Sequence, residues 1–230
     1  MTEYLHLLEK EKDEKYKKFS EKIVSDTKYP LLGVRVPVIK KIAKTAETNG
    51  GIIFPKNGFT YYEECLLYGL IISGLKTLSF EEKTALLDDF LPYADSWGIT
   101  DSVAAAFKDI SKNRKKATEY IYLLLKSPLT YTRRFGIVLL TLYFTGEYFD
   151  EKHLLRTLSV KTGEYYVDMA VAWYISVLIA KNRDVAIKII EDNVLPPFIH
   201  DKAINKAIES FRVCEKDKIY LKTLKTKNRI

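Results

Sequence analysis

Asp95-Ser96-Trp97-Gly98-Ile99-Thr100-Asp101, running on into Val103-Ala104-Ala105-Ala106-Phe107, is the stretch from which the chain can be read. A short side-chain oxygen at Asp95 or Ser96 accepts from the free first-turn N–H groups and opens a helix. Trp97 and Asp101 stand four residues apart, so on that helix they share one face, one turn apart. Lys108 and Lys112 continue near that face. An indole, a carboxylate and two ammonium groups in a stripe are not core chemistry, and the small alanines behind them let another helix or a ligand backbone come close.

Working outward, the same kind of start signal recurs near residues 60, 79, 113, 130, 150, 162 and 183. Pairing neighbours gives units of roughly 35–40 residues, the range of helical-pair solenoids. No window alternates with period two, and hairpin turns are sparse. The expectation is an all-α chain of about twelve short helices in one domain over residues 1–230, with a non-repeating bundle as the alternative. Residues 2–25 read as one charged, solvated helix. Pro37 suits the first residue of a helix that Asn49-Gly50-Gly51 closes. Thr60-Tyr61-Tyr62-Glu63 and Ser79-Phe80-Glu81-Glu82 have the capping-box form, before helices to Gly74 and about Leu91. Further helices are expected over 113–126, from Thr130 or Thr132, from Asp150 to about Leu158, over Tyr165–Lys181, and two or three beyond 183.

Composition narrows the function. The net charge of +7 favours an anionic partner, nucleic acid being the commonest. Between 97 and 134 there are eight Lys/Arg against three acids, so +5 of the +7 gathers around the Trp97 face. Cys65 and Cys214 are far apart, with no CxxC, which suits a reducing compartment and gives no zinc site. His6, His153 and His200 share no ligand spacing and read as surface residues. No signal peptide or membrane span is visible, so a cytoplasmic protein without membrane attachment is expected. P-loop, GxGxxG, GxSxG and HExxH motifs do not occur. The enzymes left need only a carboxylate, aromatics and a positive surface.

Two further segments draw notice. Tyr165-Tyr166-Val167-Asp168-Met169-Ala170-Val171-Ala172-Trp173 is apolar nearly all round, with Tyr166, Met169, Ala170 and Trp173 on one face. Trp173 is first a core anchor; with Tyr166 it could instead wall a cationic or π ligand. Arg133-Arg134 stands in a first helical turn, where the dipole disfavours cations. Such a pair points to an anion partner, or else to carboxylate partners within the fold.

With these elements in order, the chain resembles the AlkD family of DNA alkylation repair glycosylases, built from HEAT-like repeats. Leu32-Gly33-Val34-Arg35-Val36-Pro37 followed by Ile39-Lys40-Lys41 is similar to that family's N-terminal helix entry. Trp97-Gly98-Ile99-Thr100-Asp101 resembles its W-x-x-x-D signature. Arg134 with Ile137-Val138-Leu139 resembles its central Arg-x-x-Ile helix, and Glu164-Tyr165-Tyr166 leading to Trp173 its aromatic-pair-then-Trp helix. The resemblance implies a right-handed α-α superhelix that cradles double-stranded DNA as a monomer. It also implies cofactor-free, metal-free hydrolysis of the N-glycosidic bond of cationic alkylated purines, such as 3-methyladenine and 7-methylguanine, without strand-cutting lyase activity. Asp101 would take the carboxylate role, Trp97 and Trp173 the aromatic roles, and Arg134 a backbone contact, with Arg133, Lys108, Tyr165 and Tyr166 on the DNA surface. The competing class is a non-catalytic HEAT-repeat scaffold that binds nucleic acid or protein.

Overall fold

Ser79, Ser96 and Asp150 open helices in the way their side chains predict. The computed structural model describes residues 4–45, 54–55 and 58–226. Among these the regular elements are helical: thirteen α-helices and three short 3-10 turns. They are α1 (Leu5–Glu9), α2 (Glu14–Ile23), α3 (Val36–Thr45), α4 (Tyr62–Gly74), α5 (Phe80–Phe90), α6 (Trp97–Ala106) and α7 (Arg114–Leu124). Then follow α8 (Thr130–Tyr143), α9 (Glu151–Leu158), α10 (Tyr165–Lys181), α11 (Arg183–Glu191), α12 (Pro197–Glu209) and α13 (Glu215–Thr223). Ser79 and Glu82 form the full capping box, and the Asp150 carboxylate accepts from Lys152 N–H. The expected stop at Asn49-Gly50-Gly51 lies outside the described residues.

The chain gathers into two compact units, Met1–Lys115 and Lys116–Ile230. Each is built around one largely apolar helix that is covered on several sides. In the first unit α4 packs against α3, α5 and α6, and all of it but Gly74 is buried. In the second, α10 packs against α8, α11 and α12. The heaviest contacts of α10 include helices two elements away in sequence, the arrangement of stacked helical pairs. A helix covered on several sides loses its amphipathic stripe, which is why both read as near-continuous apolar runs. At Gly69 of α4 a Cβ would lie 2.5 Å from Val103 Cγ2 and 2.7 Å from the Phe90 ring. The absent side chain is what lets α6 come so close.

Several local readings are corrected. Where one helix over residues 2–25 was expected, the described residues from 4 onward form two, α1 and α2, because Asp13 accepts from Lys15 N–H (2.9 Å) and Tyr16 N–H (3.0 Å) and starts α2 afresh. The segment is not wholly solvated, since Leu5 and Leu8 of α1 are buried. Pro37 is the second helical residue rather than the first. The expected box at Thr60–Glu63 does not form. Glu63 instead accepts from the backbone N–H groups of Leu32 (2.8 Å), Gly33 (2.7 Å) and Val34 (3.1 Å), while Glu64 takes Thr60 N–H (2.7 Å). A buried carboxylate with three aligned donors ties the extended link before α3 to α4. Gly33 is required there: its φ is +89°, and a Cβ would stand 2.5 Å from the Asp13 carbonyl oxygen. Thr130 begins α8 without capping it and donates to Glu164 instead. Two histidines are not surface residues. His153 is buried with its Nδ1 3.0 Å from the Tyr122 hydroxyl, and His200 is buried with Nε2 2.9 Å from the Leu224 carbonyl.

Candidate nucleic-acid interface

The start of α6 is held by two carboxylates. Asp26 accepts from the Ser96 hydroxyl (2.9 Å) and from Trp97 N–H (3.1 Å). Asp95 turns the other way and accepts from the Thr27 hydroxyl (2.7 Å) and Lys28 N–H (2.9 Å). Ser96 itself is the cap, accepting from Gly98 N–H at 3.3 Å. Negative charge at a helix N-terminus is stabilising, so the 26–28 link and α6 lock each other in place. Gly98 has no room for a side chain, since a Cβ would collide with the Tyr62 hydroxyl. With Ile99, Thr100, Val103 and Ala104 buried, Trp97 and Asp101 remain half-buried, one turn apart. This is the pairing expected from their spacing.

Lys108 and Lys112 do not extend that stripe. The helix stops at Ala106, and Lys108 begins a 3-10 turn. Both lysines line a groove of about 970 Å³ at the C-terminal end of α6.

In the second unit the two arginines are structural fastenings before they are anything else. Arg133 is 3% exposed and pairs with Glu164, the residue that precedes α10, while also reaching the Ser127 carbonyl at 3.3 Å. The Thr130 hydroxyl donates to the same carboxylate and, with the Arg133 guanidinium, holds Glu164 below its ordinary range. Arg134, 7% exposed, donates to the Tyr166 carbonyl at 2.8 Å. Of the two readings of this pair, the carboxylate-partnered one holds for Arg133.

Along α10 the half-buried positions are Tyr166, Met169, Trp173, Val177 and Ala180, a stripe at helical spacing on an otherwise covered helix. Trp173 is therefore not sealed in the core. It lines a groove of about 430 Å³ with Lys181, Lys206, Phe211 and Arg212 among its neighbours. Tyr165 is exposed and stands edge-on to Tyr166, with ring centroids 5.1 Å apart. The Asp168 carboxylate accepts Gly163 N–H at 2.9 Å and so steadies the approach to the helix. Sequence reading missed Asp26 and Phe211, and it took Glu63 for a capping residue. Asp26 acts through bonds to distant chain, and Phe211 shows only as an 89% exposed aromatic in a turn. Neither carries a local pattern.

Stacked helical pairs thus present a half-buried indole and a half-buried carboxylate one turn apart on α6, and among the described residues no group of three or more His, Cys, Asp or Glu side chains could hold a metal ion. The model of the DNA alkylation repair enzyme family matches residues 4–207, and the chain belongs to that family. Comparison with individual curated proteins gives no significant match. Among the described residues, no helix is long and apolar enough to cross a membrane.

Proposed function

We propose that the protein is a monofunctional DNA glycosylase that hydrolyses the N-glycosidic bond of cationic alkylated purines, 3-methyladenine and 7-methylguanine, in duplex DNA. The observation that carries this reading is the α6 face. In a chain of the alkylation repair family, Asp101 and Trp97 stand half-buried one turn apart on a helix whose start is locked by Asp26 and Ser96. A cationic base is already a good leaving group, so little acid catalysis is needed. Positive charge builds instead on the deoxyribose, as in glycoside hydrolysis generally. Asp101 stabilises that charge and orients the attacking water. Trp97 and Trp173 offer ring faces that attract the same charge. Arg134, Lys108, Tyr165 and Tyr166 are proposed as DNA contacts. Arg133, committed to Glu164, is proposed to hold the start of α10 beside Arg134.

The deciding assay is release of free 7-methylguanine from methylated duplex DNA by purified protein. The expected result is base release without strand cleavage. Protein that binds the duplex yet releases no methylated purine is a scaffold, and the glycosylase reading then falls.

A further inference from the structure

The groove beyond the C-terminal end of α6 is assembled from four helices of the first unit. Lys40 and Lys44 come from α3, Lys76 from just after α4, Lys83 from α5, and Lys108 and Lys112 from the turn after α6. Among the described residues Asp109 is the one acid that lines it. That acid is spent internally, because buried Lys83 sets its ammonium 2.7 Å from the Asp109 carboxylate. The other five lysines are exposed, and none makes an ion pair among the described residues. Lysines near helix ends have an ordinary use, which is to offset the negative end of the dipole. Here α3, α4 and α6 all end at the groove, and three ends offer about half a charge each, roughly −1.5 together. Five ammonium groups exceed that severalfold. Among the described residues nothing offsets this surplus positive charge, and it calls for an anion.

The lining also says which anion. Among the described residues no aromatic side chain lines the groove, so it has no platform on which a base could stack. Its lining includes Ser73, Gly74, Ala105 and Ala106, small enough for a backbone to come close. Lysine binds phosphate as a point charge and reads no sequence. Several such charges distributed around about 970 Å³ suit a row of phosphates better than a single one. Helix α6 has ten residues, so at about 1.5 Å of rise each its two ends lie roughly 15 Å apart. Ala105 lines the groove one turn on from Asp101, so the groove begins where the Trp97–Asp101 face ends. We propose that it is a second DNA contact, which grips the phosphate backbone of the duplex away from the damaged base and supplies lesion-independent affinity. The proposal takes its partner from the DNA reading above and nothing from the chemistry of excision.

The test is a Lys40→Gln, Lys44→Gln, Lys76→Gln triple variant, titrated with undamaged duplex by fluorescence anisotropy over a range of salt. These three exposed side chains have no described ion pair to lose, so the melting temperature serves only as a folding control. Each phosphate contact contributes about 0.9 to the slope of log K against log salt, so the slope should shrink by about 2.7. In parallel, acetylation of Lys40, Lys44 and Lys76 in the wild-type protein should slow when duplex is present. A wild-type protein that binds duplex with the same slope as the triple variant overturns the groove and leaves the DNA reading standing. Tripolyphosphate at matched ionic strength, protecting the three lysines as well as duplex does, overturns the backbone assignment in favour of a small phosphate ligand. Loss of slope in the variant, in a protein that releases no methylated purine, upholds the groove while the glycosylase reading fails. A wild-type protein that binds no duplex overturns both.

Discussion

Helices α6 and α10 each carry a half-buried tryptophan, and they hold it by opposite means. Trp97 is fixed by charge: its own N–H and the hydroxyl of the preceding Ser96, which is fully buried, both end on Asp26. Trp173 is fixed by packing, for Ala170, Val171, Ala172, Tyr174 and Ile175 around it are buried and the helix is apolar on nearly every side. In the second unit the Arg133–Glu164 pair sits at the start of α10 and not beside the indole. A charged lock gives a defined direction to one helix end and is costly to break. An apolar seat has many small contributions and tolerates the loss of any single hydrogen bond. The unit that is locked by charge is also the one that carries Asp101, whose proposed role demands fixed geometry.

The sharpest way to break this contrast is through activity. Asp101→Asn keeps size and most hydrogen bonding while removing the charge. Single-turnover release of 7-methylguanine should slow roughly 100- to 1000-fold, about 3–4 kcal/mol, with duplex binding little changed. Trp173→Phe keeps an aromatic face and should cost only a few-fold, about 0.5–1 kcal/mol. If Asp101→Asn lowers the melting temperature and leaves activity per folded molecule intact, Asp101 belongs to the fold and not to the reaction.

Stability tests the lock itself. Asp26→Ala strands the Ser96 hydroxyl and the Trp97 N–H and should destabilise the protein by about 2–3 kcal/mol in urea unfolding. Ser176→Ala on α10 removes a hydroxyl that donates to the Trp173 carbonyl at 2.7 Å, and should cost about 0.5–1 kcal/mol. Equal effects would mean that the two indoles are held alike.

The smallest effect is a pH dependence of the second unit. Burial pushes His153 below its ordinary value, against a weaker opposing pull from Asp150. Its imidazole is neutral in the fold and takes up a proton on unfolding. The unfolded chain binds more protons in the window below about pH 6.5, so stability is full above that value and declines as pH falls through it. His153→Gln should lower stability at pH 7.5 but flatten its decline between about pH 6.5 and 5. An unchanged decline in the variant places the pH dependence on another group.

Much of the fold was legible in the residues. The bounds of α10 at Tyr165–Lys181, the end of α4 at Gly74, and the openings at Ser79, Ser96 and Asp150 all follow from groups within a few positions of one another. Each is a backbone N–H that a neighbouring side chain satisfies, or an apolar run with one turn-maker at its end. The spacing of Trp97 and Asp101 was equally readable, since four residues on a helix is one turn whatever else surrounds it. The family resemblance rested on the same short elements taken in order, and the family match bears it out.

What sequence spacing could not supply is the choice of partner for a charge. Glu63 looked like a capping residue, yet its carboxylate serves three backbone donors some thirty positions upstream. Arg133 could serve an anion partner or a carboxylate of the fold, and only packing showed that Glu164 takes it. His153 and His200 looked like surface residues, and packing buried them. Asp26 gave no local sign, because Ser96 and Trp97 lie some seventy positions away. The five lysines of the α6 groove are scattered over three segments of chain and become one positive surface only when four helices meet. A helix start is decided by neighbours within one turn, so the chain alone determines it. A buried or clustered charge is decided by whichever opposite or unsatisfied group packing brings within about 3 Å, and only the tertiary structure makes that selection.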